Sequence, residues 1–243
     1  TLMRSSAASD VYKRQSFMSN EDAARYLSYD LEHTNKVSKY YKVTETTNGT
    51  ITTEVSKEEA TEAAENNISP IATYHTTSYK NIQISSTPIA TNKYLVDITT
   101  DWLITPRVKS YDVIAMRVDD AIIKSGSQNG IQMYNNSSTS GSVDYSYQGT
   151  NMVLSSNGFG ISMNLVDAAS GFTCQIEAVV TATTKWATVY GSYQHAMTAV
   201  TLAKSKSYTI SHNGYGKVIN FATAVQNDYD NMQGVSIELG YTA

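Results

Sequence analysis

The sequence is poor in the residue types that carry most familiar chemistry. A single cysteine, Cys174, stands among 243 residues, which excludes an intrachain disulfide and a multi-thiolate metal site. That scarcity suits a cytosolic chain and an exported one without disulfides alike, so it does not fix the compartment. Charged residues make up only 16% and the formal net charge is −4, leaving no basic field to hold a nucleic-acid backbone. No apolar run reaches the roughly 18 residues that a membrane-spanning helix needs. The composition is too low in helix formers for a long-helix or coiled-coil protein and too low in charge for charge-driven disorder.

Uncharged polar residues are abundant instead: Ser, Thr, Asn and Gln supply roughly a third of the chain. This mixture points to a β-rich globule. Between Tyr94 and Ile104 the residues Tyr94, Val96, Ile98, Trp102 and Ile104 share one face, with Asp97, Thr99 and Asp101 on the other. Ile114, Met116, Val118 and Ile122 oppose Arg117 and Asp119 in the same way. The most regular segment alternates Phe172, Cys174, Ile176, Ala178, Val180, Ala182 and Trp186 with polar neighbours. One side reads as core and one as solvent, the signature of an antiparallel sheet with a wet face. Further short strands are expected at Ile82–Ser85, Ile131–Tyr134, Val143–Tyr147, Met152–Leu154, Ile161–Leu165, Thr188–Gln194, Ala199–Leu202, Ser207–Ser211, Val218–Phe221 and Val235–Tyr241. Their spacing and the turn clusters between them predict an all-β fold, an antiparallel β-sandwich of about ten strands over residues 71–243.

The N-terminal part reads differently. A short helix is expected from Ser19, then a hairpin through Asn48-Gly49, then a capping box Ser56-Lys57-Glu58-Glu59 opening a mostly exposed helix. Pro70 makes about residue 70 the expected boundary between a lead segment, 16–70, and the sandwich.

No motif assigns a catalytic residue, a metal ligand or a cofactor. His33, His75, His195 and His212 occur singly, outside any metal-ligand spacing. Asn227-Asp228-Tyr229-Asp230-Asn231 resembles a calcium loop only superficially, because Met232 stands where an oxygen ligand is needed. Cys174 falls on the apolar face of its strand and reads as core. Asp119 and Asp120 are adjacent, so in a strand they point to opposite faces and do not act as a carboxylate pair. A hydrolase would require His195, Asp112 or Glu177 to converge in one pocket.

Tyrosine does stand out: 18 Tyr against four Phe and two Trp. Choosing Tyr over Phe implies rings with a polar edge. The stretch from Tyr134 through Asn135, Asn136 and a Ser/Gly run to Tyr145 and Tyr147 has the composition of adaptable binding loops. Tyr134, Tyr145, Tyr147, Tyr193 and Tyr215 are therefore the candidate binding residues, with a glycan or protein surface as partner. The competing reading makes them cross-strand stabilisers of an ordinary hairpin.

Two resemblances add to this. Asp10-Val11-Tyr12-Lys13-Arg14-Gln15 resembles a reading-frame translation of the transposase mosaic end used in sequencing-library preparation, and by contiguity residues 1–15 look like translated adapter. Setting them aside removes Arg4, Lys13, Arg14 and Asp10, which leaves 15 basic and 21 acidic residues and a net charge of −6. A signal peptide would then have preceded Ser16. Segments such as Trp102-Leu103-Ile104-Thr105-Pro106 and Lys204-Ser205-Lys206-Ser207-Tyr208 resemble, in style, secreted bacterial proteins of unknown function. That resemblance implies export or cell-surface location and a β-sandwich, and carries no catalytic residue.

The expectation is thus a secreted or cell-surface, non-enzymatic binding module with Tyr/Ser/Asn-rich loops. One alternative is a β-pore-forming protein in which Met133–Tyr147 refolds into a membrane hairpin, although Asn135 to Ser142 offers no lipid-facing apolar side. The other is the hydrolase described above.

Overall fold

A computed structural model describes residues 34–46, 49–66, 76–135, 140–212 and 216–243. The adapter-like segment and the helix expected from Ser19 lie outside them. The described strands are β1 (Asn35–Thr46), β2 (Gly49–Val55), β3 (Thr76–Ala90), β4 (Lys93–Ile104), β5 (Tyr111–Asp119), β6 (Ala121–Ile123), β7 (Asn129–Asn135) and β8 (Ser140–Tyr145). They continue with β9 (Met152–Ser155), β10 (Gly158–Asn164), β11 (Gly171–Ala182), β12 (Thr188–Gln194), β13 (Tyr208–Ile210), β14 (Ile219–Phe221) and β15 (Val235–Glu238). Two helices join them, α1 (Lys57–Glu65) and the single turn α2 (Leu202–Ser205).

The fold is the all-β sandwich the alternation predicts. One sheet has the order β2-β1-β3-β4-β11-β7-β8 with β6 also on β11, and the other has the order β15-β12-β5-β10-β9. All pairings are antiparallel, and their inner faces meet in one apolar core. Ile82, Ile84, Val96, Ile98, Cys174, Ile176 and Val180 come from the first sheet; Ile114, Met116, Phe159, Ile161, Val189 and Ile237 come from the second. On its core face β11 follows the sequence pattern, since Phe172, Cys174, Ile176, Ala178, Val180 and Ala182 are all buried, whereas Gln175 and Glu177, expected to face solvent, are buried too.

The strands of the sandwich begin well before residue 70. β1 pairs with β3 from Asn35↔Ser86 to Glu45↔Thr76, so the hairpin expected as a lead segment extends the first sheet. The capping box forms as the sequence indicates: Glu59 N–H donates to Ser56 Oγ at 3.0 Å. Ala60 and Ala63 of the helix it opens cover Tyr79 on the outer face of the first sheet.

The expectation of one wet face fails for the second sheet. Val113 and Ala115, on the far side of β5, are buried under the β13–β14 hairpin and the segment carrying Val225 and Tyr229. β5 is therefore apolar on both faces. Alternation also breaks at Asp120, whose φ is 51°; the turn there ends β5 and leaves Ile122 61% exposed. Trp186, expected on the core face of β11, lies beyond the strand's end and is 69% exposed. Residues Ala199–Leu202 are not a strand, because the Thr201 hydroxyl accepts from Lys204 N–H at 3.4 Å and starts α2. Asp97 and Thr99 do lie opposite the core face, yet they are buried among polar neighbours, with Ser85 donating to Asp97.

Candidate functional site

A cluster of polar side chains is sealed into one end of the sandwich. β3 brings Lys80, β4 brings Trp102, β5 brings Asp112, β12 brings Tyr193, and the segments after β12 and before β15 bring His195 and Asp230. Strand parity explains their direction. Lys80 shares a face with Ile82 and Ile84, and Asp112 shares one with Ile114 and Met116, so each is aimed into the core. A register shift between Tyr79 and Lys80 sets the lysine beside Trp102 while Tyr79 packs under α1.

Both carboxylates accept hydrogen bonds through each of their oxygens. Asp112 accepts from Ala196 N–H at 2.9 Å, from His195 Nδ1 at 2.9 Å, and from the Tyr193 hydroxyl. The Trp102 indole N–H donates in turn to the Tyr193 oxygen at 3.0 Å. Asp230 accepts from His195 N–H at 3.0 Å and from Lys80 Nζ, and the side chains of Lys80 and Asp230 are both 0% exposed. The Lys80 ammonium lies 4.9 Å from the Trp102 ring centroid and 5.0 Å from that of Tyr193. Burial pushes the Tyr193 phenol well up, and the negative charge of Asp112 pushes it further. Burial does the same to the Cys174 thiol, which stays protonated in the core.

Beside this cluster opens a cleft of about 790 Å³ bordered by Asp230 and Tyr229. Its hydroxyl and amide groups come from Thr50, Thr198, Gln226, Asn227 and Asn231. Its charged groups are Glu45, Arg107 and Lys217. Arg107 Nη2 donates to Glu45 Oε2 at 3.1 Å, and Lys217 Nζ donates to Asn231 Oδ1 at 2.9 Å. Partial burial lowers the Lys217 pKa, against the opposing pull of Asp230. Tyr229 is itself held in place, its ring stacked on Phe221 at 3.9 Å and its hydroxyl donating to the Tyr111 carbonyl at 2.9 Å.

The sequence candidates fall in several places. Tyr134 and Tyr145 lie on β7 and β8 and, with Tyr147, pack against the main core half-buried. Tyr147 shares a hydrogen bond with Ser125 Oγ at 2.9 Å and borders a small hollow of about 200 Å³. Tyr193 is interior, 0% exposed, so it is no part of a binding loop: its strand position points it between the sheets, where its hydroxyl donates a hydrogen bond to Asp112. Tyr215, His33 and His75 lie outside the described residues. The His212 ring lies tilted against Tyr190, with ring centroids 4.3 Å apart. Asp119 holds Arg117 through Nε and Nη2. Of the residues a hydrolase would need together, His195 and Asp112 do meet, whereas Glu177 is bonded to Asn129 on the opposite face of β11.

No family model matches the chain, and no curated protein does. Three solved structures share a remote likeness. The pilus backbone of Streptococcus pneumoniae aligns at 13% identity and TM-score 0.29 over 44% of this chain and 25% of its own. The enzymatically active domain of tailspike protein 4 of bacteriophage CBA120 aligns at 7% identity and TM-score 0.25, covering 68% of this chain and 20% of that one. TmCBM61, solved with β-1,4-galactotriose, aligns at 6% identity and TM-score 0.23, covering 63% and 80%. The chain thus spans a quarter and a fifth of the first two.

Proposed function

We propose that the protein is a non-enzymatic binding module on an exported or cell-surface chain, and that the cleft beside Asp230 takes a glycan. The observation that carries this reading is the chemistry of the cleft wall: amide and hydroxyl groups on Thr198, Gln226, Asn227 and Asn231, interleaved with Arg107 and Lys217, suit a ligand rich in hydroxyls. Such a ligand is recognised by many modest hydrogen bonds in fixed positions, and the sealed cluster behind Asp230 provides a rigid floor. A hydrolytic role has less support. His195 and Asp112 are paired, but their side chains are only 1% and 0% exposed, and the hydroxyl attached to the pair belongs to Tyr193, itself buried. Burial of that depth does not favour attack by a water on a bound substrate.

The test is a glycan array probed with wild type, with Asn227→Ala/Asn231→Ala and with Tyr145→Ala/Tyr147→Ala. The expected result is binding to a defined saccharide that falls at least about tenfold in the cleft variant, the loss of one or two hydrogen bonds, and is unchanged in the tyrosine variant. An empty array, binding retained by the cleft variant, or recovery of the bound saccharide in cleaved form each overturns the proposal.

A further inference from the structure

We propose that Lys80 and Asp230 are joined by an intramolecular isopeptide bond, formed by the folded protein itself. An amine and a carboxyl group 150 residues apart in sequence are in direct contact, Nζ against Oδ2, with neither side chain exposed at all. A buried ion pair of this kind is expensive to keep, because removal of both charges from water is repaid only in part by their attraction. Conversion to an amide removes both charges and leaves one neutral group that the same surroundings accommodate.

The geometry supplies each part of the reaction. Transfer of a proton from Nζ to Oδ2 turns the ion pair into a neutral amine and a neutral acid. The Nζ lone pair then attacks Asp230 Cγ, and the charge that develops moves onto Oδ1. His195 N–H already donates to Oδ1 at 3.0 Å and is placed to hold that charge. A C–N bond forms between Nζ and Cγ as the bond from Cγ to Oδ2 breaks. Oδ2 departs as water with two of the three ammonium protons, the third stays on the amide nitrogen, and nothing is oxidised or reduced. Water leaves toward the cleft, which Asp230 borders. The Trp102 and Tyr193 rings flanking Nζ keep bulk water from driving the reverse reaction. Holding the reactants in contact is worth an effective concentration on the order of 10⁵–10⁸ M, enough to replace an external catalyst. Asp112 acts as a positioning residue: it holds Ala196 N–H and the His195 ring, and so fixes the N–H that points at Oδ1.

The experiment is intact-mass measurement of the purified full chain under denaturing conditions, followed by trypsin mapping. The expected mass is lower than that of the sequence by one water, about 18 Da. Trypsin is expected not to cut after Lys80, and one branched peptide should join the segments containing Lys80 and Asp230. Lys80→Arg, which keeps the charge and cannot form the amide, is expected to show the full sequence mass. A folded wild-type chain at its full sequence mass overturns the proposal. So does a water loss that maps elsewhere, such as to a succinimide, with the Lys80 and Asp230 peptides running apart.

Discussion

Tyr193 meets three demands with one hydroxyl and one ring. Its oxygen accepts the Trp102 indole N–H, its O–H donates to Asp112, and its ring flanks the Lys80 ammonium. Tyr193→Phe keeps the ring and removes only the oxygen, leaving a buried indole N–H without its acceptor and Asp112 short of one donor. The orphaned indole N–H costs about 1–3 kcal/mol, while Asp112 keeps its bonds from Ala196 N–H and His195, so urea unfolding is expected to show a loss of that size with the native circular dichroism spectrum retained. A loss below about 0.5 kcal/mol would mean that the hydroxyl does not support the cluster. At this scale the sequence held a usable signal. A lysine in phase with Ile82 and Ile84, and an aspartate in phase with Ile114 and Met116, are charges written on the core side of a strand. What the sequence could not reveal is that the two strand ends, with His195 and Asp230, occupy the same end of the sandwich. Tyr193 was picked out for the wrong reason: composition distinguishes a polar-edged ring from Phe, but not a hydroxyl facing water from one facing a buried carboxylate.

Among the described glycines, Gly234 at the entry to β15 leaves the least room for a side chain. A Cβ added at Gly234 would stand 2.1 Å from the Gly216 carbonyl oxygen and 2.4 Å from that of Gly191. Both obstacles are backbone, one of them on β12, the strand that β15 pairs with. Gly234→Ala is therefore expected to cost about 3 kcal/mol, the upper part of the overpacking range, as the strand pulls away from β12. Gly126→Ala is the comparison: it has φ +82° and nothing within 4 Å, so only backbone strain of about 1–2 kcal/mol applies. Equal midpoints for the two variants in denaturant titration would contradict the close approach. Element identity was legible where apolar and polar residues alternate, as along β11, where Phe172, Cys174, Ile176, Ala178, Val180 and Ala182 all face the core, although Gln175 and Glu177 on the polar face are buried as well. It was not legible along β5, because the hairpin covering its second face lies some ninety residues downstream and a local window contains no trace of it. The β1–β2 hairpin was readable from its turn, whereas its place beside β3 was not, since pairing partners are set by packing across the chain.

For the molecule as a whole, tyrosine determines the response to alkali. Tyr41, Tyr145, Tyr193, Tyr208 and Tyr229 all have phenols whose pKa is raised, in every case chiefly by burial, with Asp112 adding to the shift at Tyr193 and Tyr229. In the unfolded chain these phenols ionise near the ordinary value of about 10. Between that value and the higher folded one, the unfolded chain binds fewer protons than the native protein, so raising the pH favours unfolding. The stabilisation is complete below pH about 10 and is lost above it, at up to about 1.4 kcal/mol per pH unit for each phenol. The four that are almost fully buried, Tyr41, Tyr193, Tyr208 and Tyr229, together remove several kcal/mol within one pH unit, a large part of the roughly 5–15 kcal/mol that holds a domain of ordinary stability. Cooperative unfolding is therefore expected between about pH 11 and 12, with the phenolate absorbance contributed by these buried rings and the loss of β-sheet circular dichroism sharing one midpoint. A smooth phenol titration centred near pH 10, with the sheet signal intact, would place these rings in water and contradict their burial. The isopeptide bond sharpens the comparison, because an amide between Lys80 and Asp230 does not titrate. The cross-linked chain should return to the native fold when the pH is lowered, with β3 still tied to the segment before β15, and Lys80→Arg should recover more slowly or less completely.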